Sequence, residues 1–241
     1  MDASWEEFGW ERLGNGIGRR RLPVWDATVT LVAGADSVLL HDTGSSLREG
    51  AEVRAQAQAL LGRRVTHIAL SHPHFDHVLG TAAFAGAEVY GAVGTAELLG
   101  RSGADGLRAD AVRHGMDERD ATAAADALVA PRHQVSGEWT LDLGGGLQVL
   151  LANVGPGHTG HDLAVLVPGS PVVVLCGDLV EESGEPQAGR DAVPSHWPAA
   201  LDRLLELGGE DALYVPGHGA VVDAAFVRGQ RDRLAARFGV S

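Results

Sequence analysis

Three imidazoles and one carboxylate fall within six consecutive positions, at His72, His74, Asp76 and His77. Imidazole nitrogen and carboxylate oxygen are the donors that divalent transition metals take from proteins. The run follows directly on Ile68, Ala69 and Leu70. It is therefore expected at the end of a strand, where a tight loop can aim several side chains at one point. Three more polar residues stand in the same setting in the second half. His158 lies in Gly155-Pro156-Gly157-His158-Thr159, Asp178 follows the apolar run to Cys176 and then Gly177, and His218 lies in Val215-Pro216-Gly217-His218-Gly219. Glycine lets the backbone turn sharply there and keeps bulk away from the side chain. Five histidines and two aspartates thus reach four strand ends.

The surrounding pattern shows what must position them. Thr28–Ala33 and Ser37–His41 read as strands around a Gly34-Ala35-Asp36 turn. After Asp42-Thr43-Gly44, Ser46 and Glu49 form a capping box. It opens a helix with Val53, Ala57, Leu60 and Leu61 apolar and Gly62 as its stop. Val65–Leu70 predicts the strand that feeds the histidine run, and Glu88–Gly91 predicts another. Residues 101–135 are rich in Ala, Asp and Arg and show no strand pattern; Asp117–Val129 reads as a helix with acids in its first turn and Pro131 beyond its end. Two more hairpins follow, Glu138–Leu143 with Leu147–Asn153 and Leu163–Val167 with Val172–Cys176. Pro198–Leu207 predicts a helix, Ala212–Val215 a strand and Ala224–Phe238 a last helix. No linker rich in Pro, Ser or charge is visible, so residues 1–241 are expected to form one domain with a helical insertion around 101–135. That insertion would either close over the site as a mobile lid or pack as an outer-layer helix.

Charge and composition exclude several function classes. The formal net charge is −13, with 32 acidic against 19 basic residues, which disfavours a nucleic-acid partner. Arg19-Arg20-Arg21 is too short to reverse this and is expected as a solvated strand end. The single Cys176 can form no internal disulfide, no apolar run reaches membrane-spanning length, and the first residues hold no apolar leader. These features predict a cytoplasmic protein, monomer or homodimer, that meets a small-molecule substrate and neither nucleic acid nor membrane.

The pattern His-x-His-x-Asp-His, then Gly-x-x-His, Gly-Asp and Pro-Gly-His, resembles the metallo-β-lactamase superfamily of hydrolases. Asp42-Thr43-Gly44 is similar to an early Asp-Thr-Gly element of that family. The resemblance implies an α/β fold: an αββα sandwich of two mixed β-sheets face to face, flanked by helices, with metals at one edge. It places one ion on His72, His74 and His158 and a second on Asp76, His77 and His218, with Asp178 bridging. Seven donors exceed the needs of one tetrahedral ion and suit a pair about 3.5–4 Å apart. The implied cofactors are two divalent ions, zinc first, with iron or manganese as alternatives. The implied reaction is cleavage of an ester, thioester, lactone or amide by a hydroxide between the ions, with Asp76 and Asp178 as the catalytic acids. Asp178 and the absent leader set the chain nearer the glyoxalase II-like members. Two other reactions share such a site: a mononuclear non-haem iron persulfide-dioxygenase-like oxidation and a metal-dependent phosphodiester cleavage.

The remaining candidates carry two readings each. Asp42 either braces the histidine loop by hydrogen bonds or caps a turn. His161 either meets substrate or lies on the surface. Cys176 is expected as a small buried hydrophobe, and Trp5, Trp10 and Trp25 as packing residues ahead of pocket lining. His41, His67, His114, His133 and His196 are expected at the surface or behind the ligands.

Overall fold

Side chains that alternate across the strands decide which way each sheet faces. In β3 (Thr28–Ala33), Val29 and Leu31 pack on one side and Val32 on the other; in β4 (Val38–His41), Leu40 and Leu39 divide in the same way. The computed structural model describes residues 4–240. Its first sheet orders β1 (Glu11–Gly14), β2 (Ile17–Arg21), β3, β4, β5 (His67–Ala69), β6 (Glu88–Ala92) and β7 (His133–Val135). The pairs from β1 to β4 are antiparallel and those from β4 to β7 parallel. The second sheet orders β12 (Leu213–His218), β11 (Val173–Glu181), β10 (Leu163–Val167), β9 (Gln148–Asn153) and β8 (Glu138–Asp142), with only β11 and β12 parallel.

The helices are α1 (Leu47–Leu61), α2 (Phe75–Val78), α3 (Thr95–Leu98), α4 (Arg101–Arg113), α5 (Glu118–Asp126), α6 (Trp197–Gly208) and α7 (Ala224–Phe238). Val53 and Ala57 of α1, Leu107 and Ala111 of α4, and Ala121 and Ala124 of α5 join Val29 and Leu31 in one core cluster. Val32, Leu39, Leu151, Val165 and Leu175 fill the space between the sheets. Leu201 and Leu204 of α6 and Val227 and Leu234 of α7 pack on Val174 and Tyr214. The layers are therefore helix, sheet, sheet, helix, the sandwich implied by the resemblance. Among the described residues, no helix is long and apolar enough to cross a membrane.

Local chemistry accounts for the first helix. Ser46 Oγ accepts the Glu49 N–H at 3.2 Å, and Gly62 closes the helix with a φ of 65°. The Glu49 carboxylate turns to Ser45, accepting its N–H at 2.9 Å and its hydroxyl at 2.6 Å, so the box closes one residue earlier than expected.

Several expectations are corrected. Arg19-Arg20-Arg21 does close a strand, β2, but only Arg21 is exposed: Arg19 is buried, pairs with Glu11 and donates to the Gly219 carbonyl at 2.7 Å. Residues 101–135 hold two helices and a strand, because α4 and β7 join α5. The Val65–Leu70 strand shortens to β5, since the chain enters and leaves the sheet within three residues there. The strand carrying Asp178 does not end before it. β11 runs on to Glu181 after a shift in its pairing with β12 at Gly177.

Candidate metal centre

His72 and His74 follow β5, and His74 caps α2, whose first turn carries Asp76 and His77. The histidine run is thus a loop that becomes one helical turn. His158 comes from the loop between β9 and β10, Asp178 from within β11, and His218 from the end of β12. All seven converge. His72, His74, His158 and Asp178 bring one donor atom each within 4.8 Å of one another, and so do Asp76, His77 and His218. Asp178 lies between the groups. Its Oδ2 is 3.6 Å from His72 Nε2 and 3.4 Å from both His158 Nε2 and His218 Nε2, and its Oδ1 is 3.2 Å from His77 Nε2. Asp76 Oδ2 is 3.4 Å from His218 Nε2. Gly217 makes this approach feasible, because a Cβ there would sit 1.8 Å from Asp178 Oδ1.

Each imidazole is held from behind. His77 Nδ1 donates to Asp42 Oδ2 at 2.9 Å, His158 Nδ1 to the Gln187 carbonyl at 3.1 Å, and His218 Nδ1 to the Trp25 carbonyl at 2.9 Å. His74 Nε2 donates to Asp191 Oδ2 at 2.9 Å. His72 Nδ1 lies 2.9 Å from Ser71 Oγ, which itself donates to Asp42 Oδ2 at 2.7 Å. With the outer nitrogen carrying the proton, the inner nitrogen presents a lone pair, the arrangement found behind metal-ligating histidines. Two inner nitrogens, His158 Nε2 and His74 Nδ1, face each other at 3.0 Å. Two lone pairs that close repel unless a cation lies between them. His72 Nε2, His77 Nε2 and Asp178 Oδ1 are buried without hydrogen-bond partners, which a metal would resolve. The residues therefore fit divalent ions.

The electrostatics show the same demand for positive charge. Burial lowers His218, but Asp178 and Asp76 outweigh it and push its pKa up to about 11. Burial also opposes a charged His77, yet Asp178, Asp76 and Asp42 hold it well above the usual imidazole range. His158 and His72, farther from the second carboxylate, are pulled down by burial, His158 to about 4. Burial raises Asp178, and the neighbouring His77 and His218 charges override it to hold the carboxyl well below its ordinary value.

Asp42 is a brace. Its carboxylate accepts from Ser71 N–H, Ser71 Oγ and His77 Nδ1, and its own φ of 58° is the left-handed conformation that a residue without glycine's freedom adopts at a cost. His161 does not reach the centre: its Nδ1 donates to the Val93 carbonyl at 2.7 Å. Cys176 is buried, and burial pushes its thiol pKa up. Trp10 is core and donates to Gln56 at 2.7 Å; Trp5 packs edge-on against it. Trp25 packs against the core, edge-on to Phe75, and also lines the cavity over the centre. His41 is buried rather than superficial.

The cavity measures about 640 Å³. The end of α4 supplies Asp110, Arg113 and His114 to its wall, with His114 stacked on Phe75 at 5.4 Å, and the loop after β11 supplies Arg190 and Asp191. Sequence reasoning missed Asp191, His114, Arg113 and Arg190. Their setting, an exposed loop and a helix end, carries no periodic or motif signal. Of the 101–135 segment, Leu107, Ala111, Met116, Ala121 and Ala124 are fixed in the core, as an outer-layer helix would be, and Asp110, Arg113 and His114 line the cavity.

A helix-flanked pair of mixed sheets with a buried His/Asp cluster at one edge is the architecture of a metal-dependent hydrolase. The chain belongs to the metallo-β-lactamase superfamily, whose family profile matches residues 22–218. A curated relative, metallo-beta-lactamase domain-containing protein 1 of Xenopus laevis, is 29% identical over 196 residues, covering 80% of this chain and 71% of that protein. Among solved structures, a metallo-beta-lactamase from Pontibacter korlensis superposes with a TM-score of 0.73 at 20% identity, covering 93% of this chain and 97% of its own. The metallo-beta-lactamase FIM-1 of Pseudomonas aeruginosa, in its mono-zinc form, superposes with a TM-score of 0.69 at 19% identity, covering 96% of each chain. At these identities the two structures speak for the fold.

Proposed function

We propose that this protein hydrolyses an ester, thioester, lactone or amide bond of a small molecule, using two divalent ions held by His72, His74 and His158 on one side and Asp76, His77 and His218 on the other, with Asp178 shared. The observation that carries this reading is the set of five imidazoles, each held from behind, whose inner nitrogens surround one buried carboxylate. Zinc is the first candidate, because the donors are mostly imidazole and one fold neighbour was solved with zinc. Bound there, two such ions supply a hydroxide nucleophile near neutral pH and polarise the carbonyl under attack. The chain's own residues do the rest. Asp76 would orient that hydroxide by accepting a hydrogen bond from it. Trp25, Phe75 and His114 form an aromatic wall for the apolar part of a substrate, and Arg113 and Arg190 line the same cavity. A cavity of about 640 Å³ suits a small molecule, and the acidic chain does not suit nucleic acid. Elemental analysis of the purified protein, alongside a panel of thioester, lactone, β-lactam and phosphodiester substrates, tests the reading. Two equivalents of metal and turnover of a carbonyl substrate that chelation abolishes are expected. Metal-free protein that hydrolyses equally well would overturn it.

A further inference from the structure

Glu181 has no place in the seven-residue set, yet it borders it. It pairs across the β11–β12 ladder with His218, and its N–H donates to Gln230 Oε1 at 3.0 Å. Gln230 is itself fully buried and donates to the Leu179 carbonyl at 2.7 Å, so the backbone carrying Glu181 is pinned from below. The Glu181 side chain is 8% exposed and lines the cavity. Its Oε1 accepts the Ser183 N–H at 3.1 Å and the Ser183 hydroxyl at 2.6 Å. Its Oε2 has no hydrogen-bond partner among the described residues, and no arginine pairs with it there. One donor atom each from Glu181, Asp178 and His218 lies within 4.8 Å of the others. The Glu181 carboxylate thus stands beside that of Asp178 with one oxygen fixed by Ser183 and the other without a partner among the described residues, in a side chain that lines the cavity, where an oxygen donor is available to a cation. Ser183 meets the needs of one oxygen only.

We propose that Glu181 belongs to the metal centre, its Oε2 acting as a further oxygen donor to the ion held by Asp76, His77 and His218. The proposal rests on the two-ion reading above. It makes the two halves of the centre unlike: imidazole-rich around His72, His74 and His158, and carboxylate-rich around His218. The competing role is a purely structural one, in which Glu181 only fastens the turn at Ser183.

Glu181→Gln separates the two. The amide keeps an oxygen for Ser183 and removes the charge. The full chain, stripped with chelator, is titrated with Zn2+ alone by calorimetry, and metal content after dialysis is read by elemental analysis. The wild type should show two binding events. In Glu181→Gln the first event should be unchanged and the second weakened about 10- to 100-fold. In a His218→Ala background, where that ion is already lost, adding Glu181→Gln should change nothing further. Ser183→Ala, which frees the carboxylate without removing it, should weaken the second event less than Glu181→Gln does. If both events in Glu181→Gln match the wild type, or if Ser183→Ala and Glu181→Gln lower the melting temperature alike without touching Zn2+ affinity, Glu181 is only a fastening. A wild type that takes a single ion would overturn the two-ion reading and this inference with it; two ions with an unchanged Glu181→Gln would overturn the inference alone.

Discussion

At the residue scale, the group behind each donor matters as much as the donor. Asp42 is 1% exposed and serves three donors at once, Ser71 N–H, Ser71 Oγ and His77 Nδ1. Asp42→Ala should therefore act twice. It should leave buried donors without an acceptor, at about 1–3 kcal/mol each. It should also free the His77 ring, lowering metal affinity by about 10- to 100-fold. Denaturant unfolding and metal titration read the two effects separately; an Asp42→Ala protein with wild-type affinity would return Asp42 to the role of a turn residue. Asp178 and Cys176 offer a sharper contrast, because they stand two residues apart on one strand. Asp178 touches four imidazoles at 3.2–3.6 Å, whereas the Cys176 thiol faces the apolar side with Leu201 and Leu204. Asp178→Ala should release bound metal during dialysis, and Cys176→Ala should retain it. Loss of metal in Cys176→Ala with the fold intact would contradict this assignment.

At the element scale, what was legible depended on whether the determining contact is local. The histidine run, the Ser46 cap, the Gly-flanked ligands and most strands of the second sheet follow from neighbours in sequence. β1 was hidden, and of β2 only the arginine run was read, as a solvated strand end, because Arg19 and Arg20 interrupt the apolar alternation; the burial of Arg19 rests on partners such as Gly219, 200 residues away. α4 was hidden by Gly103 and Gly106, poor helix formers, yet a Cβ on Gly103 would sit 1.4 Å from the Leu98 carbonyl oxygen, so glycine is required where the chain enters from α3. Asp191, which holds His74 from 117 residues away, left no trace in the sequence at all. The α4–α5 pair illustrates the consequence. Leu107, Ala111, Ala121 and Ala124 are core residues, so removing Asp105–Ala130 should unfold the protein rather than open a lid; a folded, metal-loaded deletion variant would revive the lid. The loop of His158 carries its own pH signature. Burial pushes Asp162 up to about 7, against the hydrogen bonds it accepts from Thr159. Its folded pKa is raised above the ordinary value near 3.9. The associated stability is therefore complete below about pH 4 and is lost as pH rises through 7. Asp162→Asn does not titrate. Metal-free wild type should thus lose stability relative to Asp162→Asn between pH 5 and 8, with a slope of at most about 1.4 kcal/mol per pH unit. Equal denaturation midpoint differences at the two pH values would count against it.

At the scale of the whole molecule, the three apolar clusters lie within and outside the sheets, while the centre occupies one edge. The core does not depend on metal, so chelation should leave a folded chain with a lower melting temperature. How much lower depends on pH, and the sign follows from the protons that replace the metal. In the metal-free protein, the carboxylates of Asp178 and Asp76 hold His218 up to about 11 and His77 well above its ordinary range. A raised folded pKa gives stability that is complete below the ordinary value near 6.5 and decays as pH rises toward the folded value. The metal-free protein therefore weakens from pH 6.5 upward. The loaded protein moves the opposite way, since an ion must displace the His218 and His77 protons and binds more tightly as they become scarce. An ion present at a hundred times its dissociation constant contributes about 2.7 kcal/mol, and each further tenfold in affinity adds about 1.4 kcal/mol. The gap in melting temperature between zinc-loaded and chelator-treated protein should accordingly widen from pH 6 to pH 9. Scanning calorimetry of both forms at pH 6, 7.5 and 9 measures it. A gap that stays constant or narrows would mean that the inner nitrogens of His77 and His218 carry no proton for a metal to displace, and so do not face the centre as donors.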